Sequence, residues 1–286
     1  MALRGKTRIG NWQEELVYEA DKKKALADVK SGGGLLSQQI LAKAKHHTKE
    51  YKLANLSEDG YLRFNVPYML QNAETNAFLS IDMDDKAQVG AEWRVAATTA
   101  PAKVPLRRNS WILVPVPSAD DEFLESKGEK DIVHYGQKFL IATVPELTEP
   151  AVYLSSQQLS PSNLSKITKN QEVYFSALGR QFALWCCVYA HPEYRFEMEG
   201  QAVKANTPIL LRHTLTNVPL ASGKFKYGND FGAEFEVCCH KYAVVAAKHG
   251  NTAEKPNNLW AIVTGPAPED DPDYQPGNST VNSQTQ

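Results

Sequence analysis

Apolar residues in this chain arrive mostly in runs of three to six, rich in Val, Ile, Phe, Tyr and Trp, with Pro, Gly, Asn or Asp between them. Such runs predict short β-strands rather than helices. They also recur with a long period. Trp111, Trp185 and Trp260 lie 74 and 75 residues apart, in Asn109-Ser110-Trp111-Ile112-Leu113-Val114, Phe182-Ala183-Leu184-Trp185-Cys186-Cys187-Val188 and Asn258-Leu259-Trp260-Ala261-Ile262-Val263. A first strand is expected at Tyr68-Met69-Leu70, Phe139-Leu140-Ile141 and Ile209-Leu210-Leu211. A second is expected at Ala77-Phe78-Leu79-Ser80, Val152-Tyr153-Leu154-Ser155 and Val218-Pro219-Leu220-Ala221, and a third at Glu92-Trp93-Arg94-Val95, Glu172-Val173-Tyr174-Phe175 and Glu234-Phe235-Glu236-Val237. A unit of four short strands is too small to bury its own apolar face, so three copies predict one closed barrel. The expected fold is mainly β, a three-fold repeat β-trefoil with enlarged loops. A β-sandwich is the alternative, and it would need no three-fold signal. Asn65-Val66-Pro67, Asp59-Gly60, Lys127-Gly128 and Tyr135-Gly136 supply the turn chemistry between strands.

The pattern changes before and after the strands. From Gln13 to about Lys30 the apolar residues Leu16, Val17, Ala20, Ala25, Leu26 and Val29 recur at helical steps, with Lys22, Lys23 and Lys24 among them. Ser31-Gly32-Gly33-Gly34 is expected to stop that helix. A second helix is expected from Leu35 to about Leu53, with Leu36, Ile40, Leu41 and Ala44 on one face. Both are read as amphipathic, docking either on the barrel or on a partner. After Pro266 the chain is rich in Pro, Asp and Asn and has almost no apolar residues, so disorder is expected there unless a partner holds it. The domain reading is therefore a basic helical arm over 1–56, a β domain over 57–265 and an acidic tail over 266–286. The repeats within the β domain fall at about 57–130, 131–198 and 199–265.

Charge sharpens that division. The 286 residues carry a formal net charge of −2, but residues 1–56 hold eleven Lys/Arg against six Asp/Glu. Residues 266–286 hold four acids and no base, and the middle is slightly acidic, so no nucleic-acid face is expected. No segment approaches a membrane span, and the N-terminus lacks a signal-peptide core, so a cytosolic chain is expected.

The four cysteines come as Cys186-Cys187 and Cys238-Cys239, neither a redox motif nor a zinc spacing. Adjacent strand residues point to opposite faces, so one of each pair is expected in the core and the other half-exposed. Cys238 and His240 lack a second ligand pair nearby. No hydrolase elbow, phosphate loop, metalloprotease helix or dinucleotide fingerprint occurs. Asp82, Asp84 and Asp85 lack calcium-loop spacing and are expected in a loop held by its own hydrogen bonds. His46 and His47 are expected on a solvated helix face. His134 and His213 stand beside strand starts, where a ring nitrogen commonly bonds a backbone carbonyl.

Two segments share Leu-x4-Thr-Asn-x-x-Leu, from Leu70 through Thr75 and Asn76 to Leu79, and from Leu211 through Thr216 and Asn217 to Leu220. This resembles the MIR-type β-trefoil repeat; Leu211, His213 and Thr216 match its Leu-x-His-x-x-Thr turn. The first unit has Asn72 in place of the His, and the middle unit departs further at Thr148-Glu149-Pro150.

A longer series of short blocks runs in order from Arg8 to Gly265. It includes Arg8-Ile9-Gly10-Asn11-Trp12, Glu58-Asp59-Gly60-Tyr61, Tyr135-Gly136-Gln137, Phe231-Gly232-Ala233-Glu234 and Val263-Thr264-Gly265. The series resembles the cilia- and flagella-associated protein 161 family. That resemblance implies a microtubule inner protein on the luminal face of the A-tubule of ciliary doublets. Its partners would be α- and β-tubulin and neighbouring microtubule inner proteins, its place the cytoskeleton of the cilium or flagellum axoneme. The resemblance implies no enzyme activity and no cofactor. Candidate partner-binding residues are Arg8, Asn11, Trp12, Lys22, Lys23 and Lys24, from the net positive arm and from Trp12 lying outside the repeats. Trp12 is read either as an interface anchor or as a plug at one end of the barrel. The alternative function is a soluble trefoil that binds a sugar or a lipid head group, which would need an aromatic platform in each repeat.

Overall fold

Short β-rich runs bounded by turn residues gain stability only by pairing with one another, and here they pair all the way round. The computed structural model describes residues 12–32, 34, 36–90, 92–117, 121–245 and 252–266. The chain divides into two units, residues 1–48 and 49–286.

The first unit holds helices α1 (Trp12–Ser31) and α2 (Leu36–His47). The second helix ends six residues before the expected Leu53. Thr48 caps it, its backbone and hydroxyl both donating to the Ala44 carbonyl. Beyond it the backbone finds partners in the β unit instead: the Arg107 amide donates to the Lys49 carbonyl, Tyr51 to Pro105 and Ala54 to Pro67. A helix through Leu53 would forfeit those bonds. His47 is buried rather than solvated, its ring edge-on to His46.

The second unit is built from β1 (Pro67–Asn72), β2 (Phe78–Val89), β3 (Glu92–Ala100), β4 (Trp111–Pro115), β5 (Lys138–Thr143), β6 (Tyr153–Ser156) and β7 (Gln171–Ser176). It continues with β8 (Trp185–Tyr189), β9 (Pro208–His213), β10 (Leu220–Asn229) and β11 (Gly232–Cys239), then β12 (Ala243–Val245), β13 (Thr252–Glu254) and β14 (Leu259–Val263). Six of them close a ring: β1 pairs β4, β4 pairs β5, β5 pairs β8, β8 pairs β9, β9 pairs β14, and β14 returns to β1, all antiparallel. The remaining strands of that sheet form hairpins β2–β3, β6–β7 and β10–β11. Strands β3, β7 and β11 also pair with one another, so each contacts both others. Closing the ring leaves its six strands no free edge for another chain to extend.

The tryptophans explain why the ring closes. Trp111, Trp185 and Trp260 are each fully buried. Their register partners are Thr143, His213 and Asn72, the last residues of β5, β9 and β1. Their indole N–H groups donate to the carbonyls of Leu79 (3.1 Å), Leu154 (2.8 Å) and Leu220 (3.1 Å), each near the start of a hairpin. One residue type thus fills the core, occupies one register position and ties barrel to hairpin at three places. At the other end the amides of Leu62, Val203 and Val133 donate in a closed cycle, Leu62 to Val203, Val203 to Val133 and Val133 to Leu62. All three side chains are buried.

Entry to each first strand needs a left-handed residue. Asn65 (φ 61°), Gly136 (φ 80°) and Asn206 (φ 58°) stand two residues before Pro67, Lys138 and Pro208. Their amides donate to Leu113, Cys187 and Ile262. At Gly136 the positive φ is what disfavours a side chain, and a Cβ there would in addition have to displace the Glu199 carboxylate. Replacing exposed Asn65 with Gly should leave stability within a few tenths of a kcal/mol, while Asn65→Val should cost about 1–2 kcal/mol. Urea midpoints of the three proteins at constant slope check this.

Two expectations fail here. Asp82, Asp84 and Asp85 belong to β2, not to a loop; a bulge between Ile81 and Lys86 interrupts its register with β3. The Asp82 carboxylate accepts from the amides of Asp84 and Asp230 and so holds the bulge in place. All four cysteines are buried, not one of each pair. Cys187 and Cys239 face the main core, Cys186 packs with Val188 and Leu210, and Cys238 receives the Asn170 side chain. Both sheet faces are covered at these positions, and burial pushes all four thiols above their ordinary range. They are thiols, not thiolates, at neutral pH.

Candidate partner-binding surface

A helix presents side chains every 100° or so, and apolar groups spread around it need cover on several sides. In α1 every described side chain, from Glu15 to Ser31, is exposed. Leu16 and Ala20 fall on one side, while Tyr18, Ala25 and Val29 fall roughly opposite. The single amphipathic stripe expected from the spacing is therefore absent, because positions 16 and 18 are separated by about 200°. Large apolar groups stay open to solvent: Leu16 at 50%, Val17 at 60%, Tyr18 at 65% and Leu26 at 59%. Lys22, Lys23 and Lys24 are exposed beside them, and the Lys22 ammonium sits 5.6 Å from the Tyr18 ring centre. On α2, Ile40 and Leu41 are exposed as well. Arg8 and Asn11 lie outside the described residues, as does the acidic tail from Ala267. Trp12 opens α1, and its side chain is also outside them.

The turn residues singled out in the sequence do meet. Asn76 (φ 51°) and Asn217 (φ 59°) take the left-handed positions. Asn72 Oδ1 accepts from the amides of Glu74 and Thr75, and Thr75 Oγ1 accepts from the Ala77 amide. In the third unit His213 Nδ1 bonds Thr216 Oγ1 at 2.9 Å, and Nε2 bonds the Phe182 carbonyl at 2.9 Å. Burial lowers the His213 pKa, so the neutral ring that can both donate and accept is the favoured form. Thr143 stands at the same place in the middle unit and accepts from the Val152 amide. His134 differs: it is buried, its ring nitrogens have no hydrogen-bond partner among the described residues, and Nε2 lies 3.7 Å from Glu129.

The residues that sequence reading missed are charged and buried. Arg108 donates Nη1 to Glu234 at 2.7 Å and Nε to the Ile81 carbonyl, with its guanidinium 3.8 Å from the Phe231 ring centre. Glu234 also accepts from Thr98 (2.6 Å) and Asn229 (2.7 Å). Burial alone would raise its pKa, but these donors outweigh burial and hold it below the ordinary carboxylate value. Arg94, stacked on Tyr174, pairs with Glu92 and Glu172. Burial there wins over Arg94 and raises Glu172. Glu236 accepts from the amides of Ile167 and Thr168 and from the Thr168 hydroxyl. The available signal was Glu92-x-Arg94 and Glu234-x-Glu236, charges at alternate strand positions, which normally mark a solvated face. Each of these side chains pairs with a neighbour in the fold, although the buried Arg108 Nη2 finds no hydrogen-bond partner among the described residues, so the cluster fastens the hairpins to one another. The three repeat tryptophans are likewise unavailable as sugar platforms, since none has exposed surface.

The family model described as Cilia- and flagella-associated protein 161-like domain matches residues 68–265. The chain belongs to the cilia- and flagella-associated protein 161 family. The matched stretch begins in β1 and runs through β14, so it takes in the whole ring and its hairpins. Cilia- and flagella-associated protein 161 of Bos taurus is 30% identical over 281 residues, covering 93% of this chain and 83% of the relative. The Mus musculus protein of the same name is 26% identical, covering 90% and 86%. Both similarities extend past the β unit into the helical arm. Among solved structures, the SDF2-like protein from Arabidopsis thaliana superposes with a TM-score of 0.51 at 20% identity, covering 72% of this chain and 98% of that chain. That likeness is one of fold. Among the described residues no helix is long and apolar enough to cross a membrane.

Proposed function

We propose that this chain is a non-enzymatic structural protein of the axoneme, bound to α- and β-tubulin on the luminal face of the A-tubule of doublet microtubules. It stabilises the doublet there and so supports motility. Residues 57–265 form the anchoring body, a β-trefoil of repeats 57–130, 131–198 and 199–265. Support for the trefoil comes from the six-strand ring, the three indole–carbonyl bonds and the closed cycle of Leu62, Val133 and Val203. Residues 1–56 form an arm that reaches along the lattice or to a neighbouring inner protein, with Arg8, Asn11, Trp12 and Lys22–Lys24 as its contacts.

The observation that carries this reading is α1. Twenty residues of helix expose Leu, Val and Tyr on opposite sides together with three consecutive lysines. A surface of that kind is covered by partners on more than one side, as inside a polymer wall. Family membership supplies the cilium. Many weak contacts along a repeating lattice add through effective concentration, so no single large patch is required.

Stepwise extraction of axonemes tests the luminal position. High salt screens exposed ionic contacts and strips proteins from the outside of the doublet. The protein is expected to stay through salt and to leave only when mild sarkosyl opens the tubule wall. In the same system, a chain lacking residues 1–30 should fold, with an unchanged melting transition of the β unit, yet be incorporated several-fold less. Release of the full chain by salt sinks the luminal reading. Normal incorporation of the shortened chain removes the arm from it.

A further inference from the structure

One imidazole of the β unit is buried without being satisfied. His134 is 4% exposed, and among the described residues neither ring nitrogen has a hydrogen-bond partner. Buried polar groups normally find a partner, because a bare one has given up its hydration for nothing. Nε2 stands 3.7 Å from the half-exposed Glu129 carboxylate, too far for a direct bond. With the ring proton on Nδ1, Nε2 offers a lone pair beside that carboxylate. Two acceptors then face one gap that a donor has to fill.

His134 and Glu129 both line an open hollow of about 820 Å³, a size that takes a side chain or a small ligand. Ile132, Met198, Tyr135 and Tyr189 form the less polar part of the lining, the two phenol rings meeting edge-on at 5.6 Å. Burial pushes the Tyr135 phenol up to about 12, so it stays neutral. Glu197, Lys127 and Lys204 also line the hollow, but all three are exposed, and water and salt screen them. The pair at His134 and Glu129 therefore decides which group fits. A guanidinium has donors only, keeps its charge, and lays a flat, weakly hydrated face on aromatic rings. An ammonium is more strongly hydrated and cannot stack.

The turn beside the hollow points to a protein as the source of that group. Residues Arg195–Met198 supply Glu197 and Met198 to the lining and hold Phe196 93% exposed. Arg195 fixes the turn, donating to the carbonyls of Tyr189 (3.0 Å) and Ala190 (3.1 Å) and to the Glu254 carboxylate (2.5 Å). An aromatic ring presented on a fixed turn loses little freedom when something covers it. We propose that the hollow is a docking socket for an arginine side chain of a protein partner. Its guanidinium bridges Glu129 and His134 Nε2, its stem lies along Tyr135 and Tyr189, and an apolar neighbour of that arginine covers Phe196. The socket holds or fails independently of the luminal position, since it concerns what the partner presents and not where.

The test uses the full chain, isotope-labelled and assigned through its backbone. N-acetyl-arginine methylamide should shift the His134 ring signals saturably, with a dissociation constant of about 1–10 mM. The citrulline analogue, of the same shape without the charge, should leave them in place. Glu129→Gln should weaken the arginine probe several-fold at an unchanged melting temperature. A blocked Leu-Arg-Leu peptide should bind several-fold more tightly than the single residue. Phe196→Ser should remove that gain and leave the single residue's affinity as it was. No saturable shift by about 50 mM arginine probe, equal shifts with citrulline, or wild-type affinity in Glu129→Gln would overturn the proposal. So would a peptide no tighter than the single residue, which would remove the protein partner. A His134 signal that responds to Zn²⁺ and not to arginine would replace the socket with a metal site.

Discussion

Trp185→Ala is expected to destabilise the β unit by about 3–5 kcal/mol, because it empties a large core site and leaves a buried carbonyl unpaired. Trp185 has no exposed surface, donates to the Leu154 carbonyl at 2.8 Å and lies against the His213 ring, with centroids 5.0 Å apart. Trp185→Phe separates the two losses. It keeps most of the volume and should cost about 1–2 kcal/mol, close to the value of one buried hydrogen bond left unmade. If the indole bonds at Trp111 and Trp260 are equivalent, Trp→Phe at those positions should cost the same within about 0.5 kcal/mol. Urea unfolding with a common slope measures all of these. A Trp185→Ala chain that unfolds at the wild-type midpoint would refute the claim that these residues close the barrel.

Arg108→Ala is expected to be as damaging, about 3–5 kcal/mol, for a different reason. It strands the Glu234 carboxylate, which is only 2% exposed, without its cation. Changing both partners to apolar residues, Arg108→Met with Glu234→Leu, should recover most of that loss, since a buried ion pair contributes little beyond what packing can replace. Acid distinguishes the cases. In the wild type Glu234 has a folded pKa below its ordinary value of 4.5, so its contribution is complete above that pH. It fades as pH falls through the folded value. In Arg108→Ala burial dominates and the folded pKa rises above the ordinary value, so protonation relieves the variant. The stability gap between the two proteins should therefore narrow as pH drops from about 7 towards about 4. A gap constant with pH would mean that the loss is one of packing alone.

The two substitutions mark how far the fold is legible in the chain alone. The tryptophan period, the left-handed Asn and Gly turns and the Thr-Asn corners are legible because each is a local requirement. An indole needs a large apolar site, a left-handed turn tolerates Asn or Gly, and a tight corner needs a side chain that bonds its own backbone. Asn72, Thr143 and His213 are harder to read, since three different residues do one job at one position. Arg108 and Glu234 are not legible at all. They are 126 residues apart, and charge in a strand normally signals solvent. Arg108 lies in the short turn at 107–109 and Glu234 in β11; only the folded chain brings them to 2.7 Å, with the Phe231 ring against the guanidinium. The cysteines escape the sequence on the same ground, because alternation fixes which face a residue takes but not whether something lies over that face.

The arm shows the converse. Its helices are legible from propensity, whereas an apolar stripe does not follow from steps of three and four unless the angle around the helix is followed too. The end of α2 at His47 is decided by competition: the backbone after Thr48 finds acceptors and donors near Pro67, Pro105 and Arg107 that a lengthening helix would lose.

By itself, the sequence determined the mainly β character of the chain, the helical arm and the family, because each rests on spacing or on short ordered blocks. Only the tertiary structure decided which strands close the ring, which charges are buried and paired, and where the second helix stops. These depend on contacts between residues far apart in the chain, and a buried charge exists only once distant segments have been folded over it.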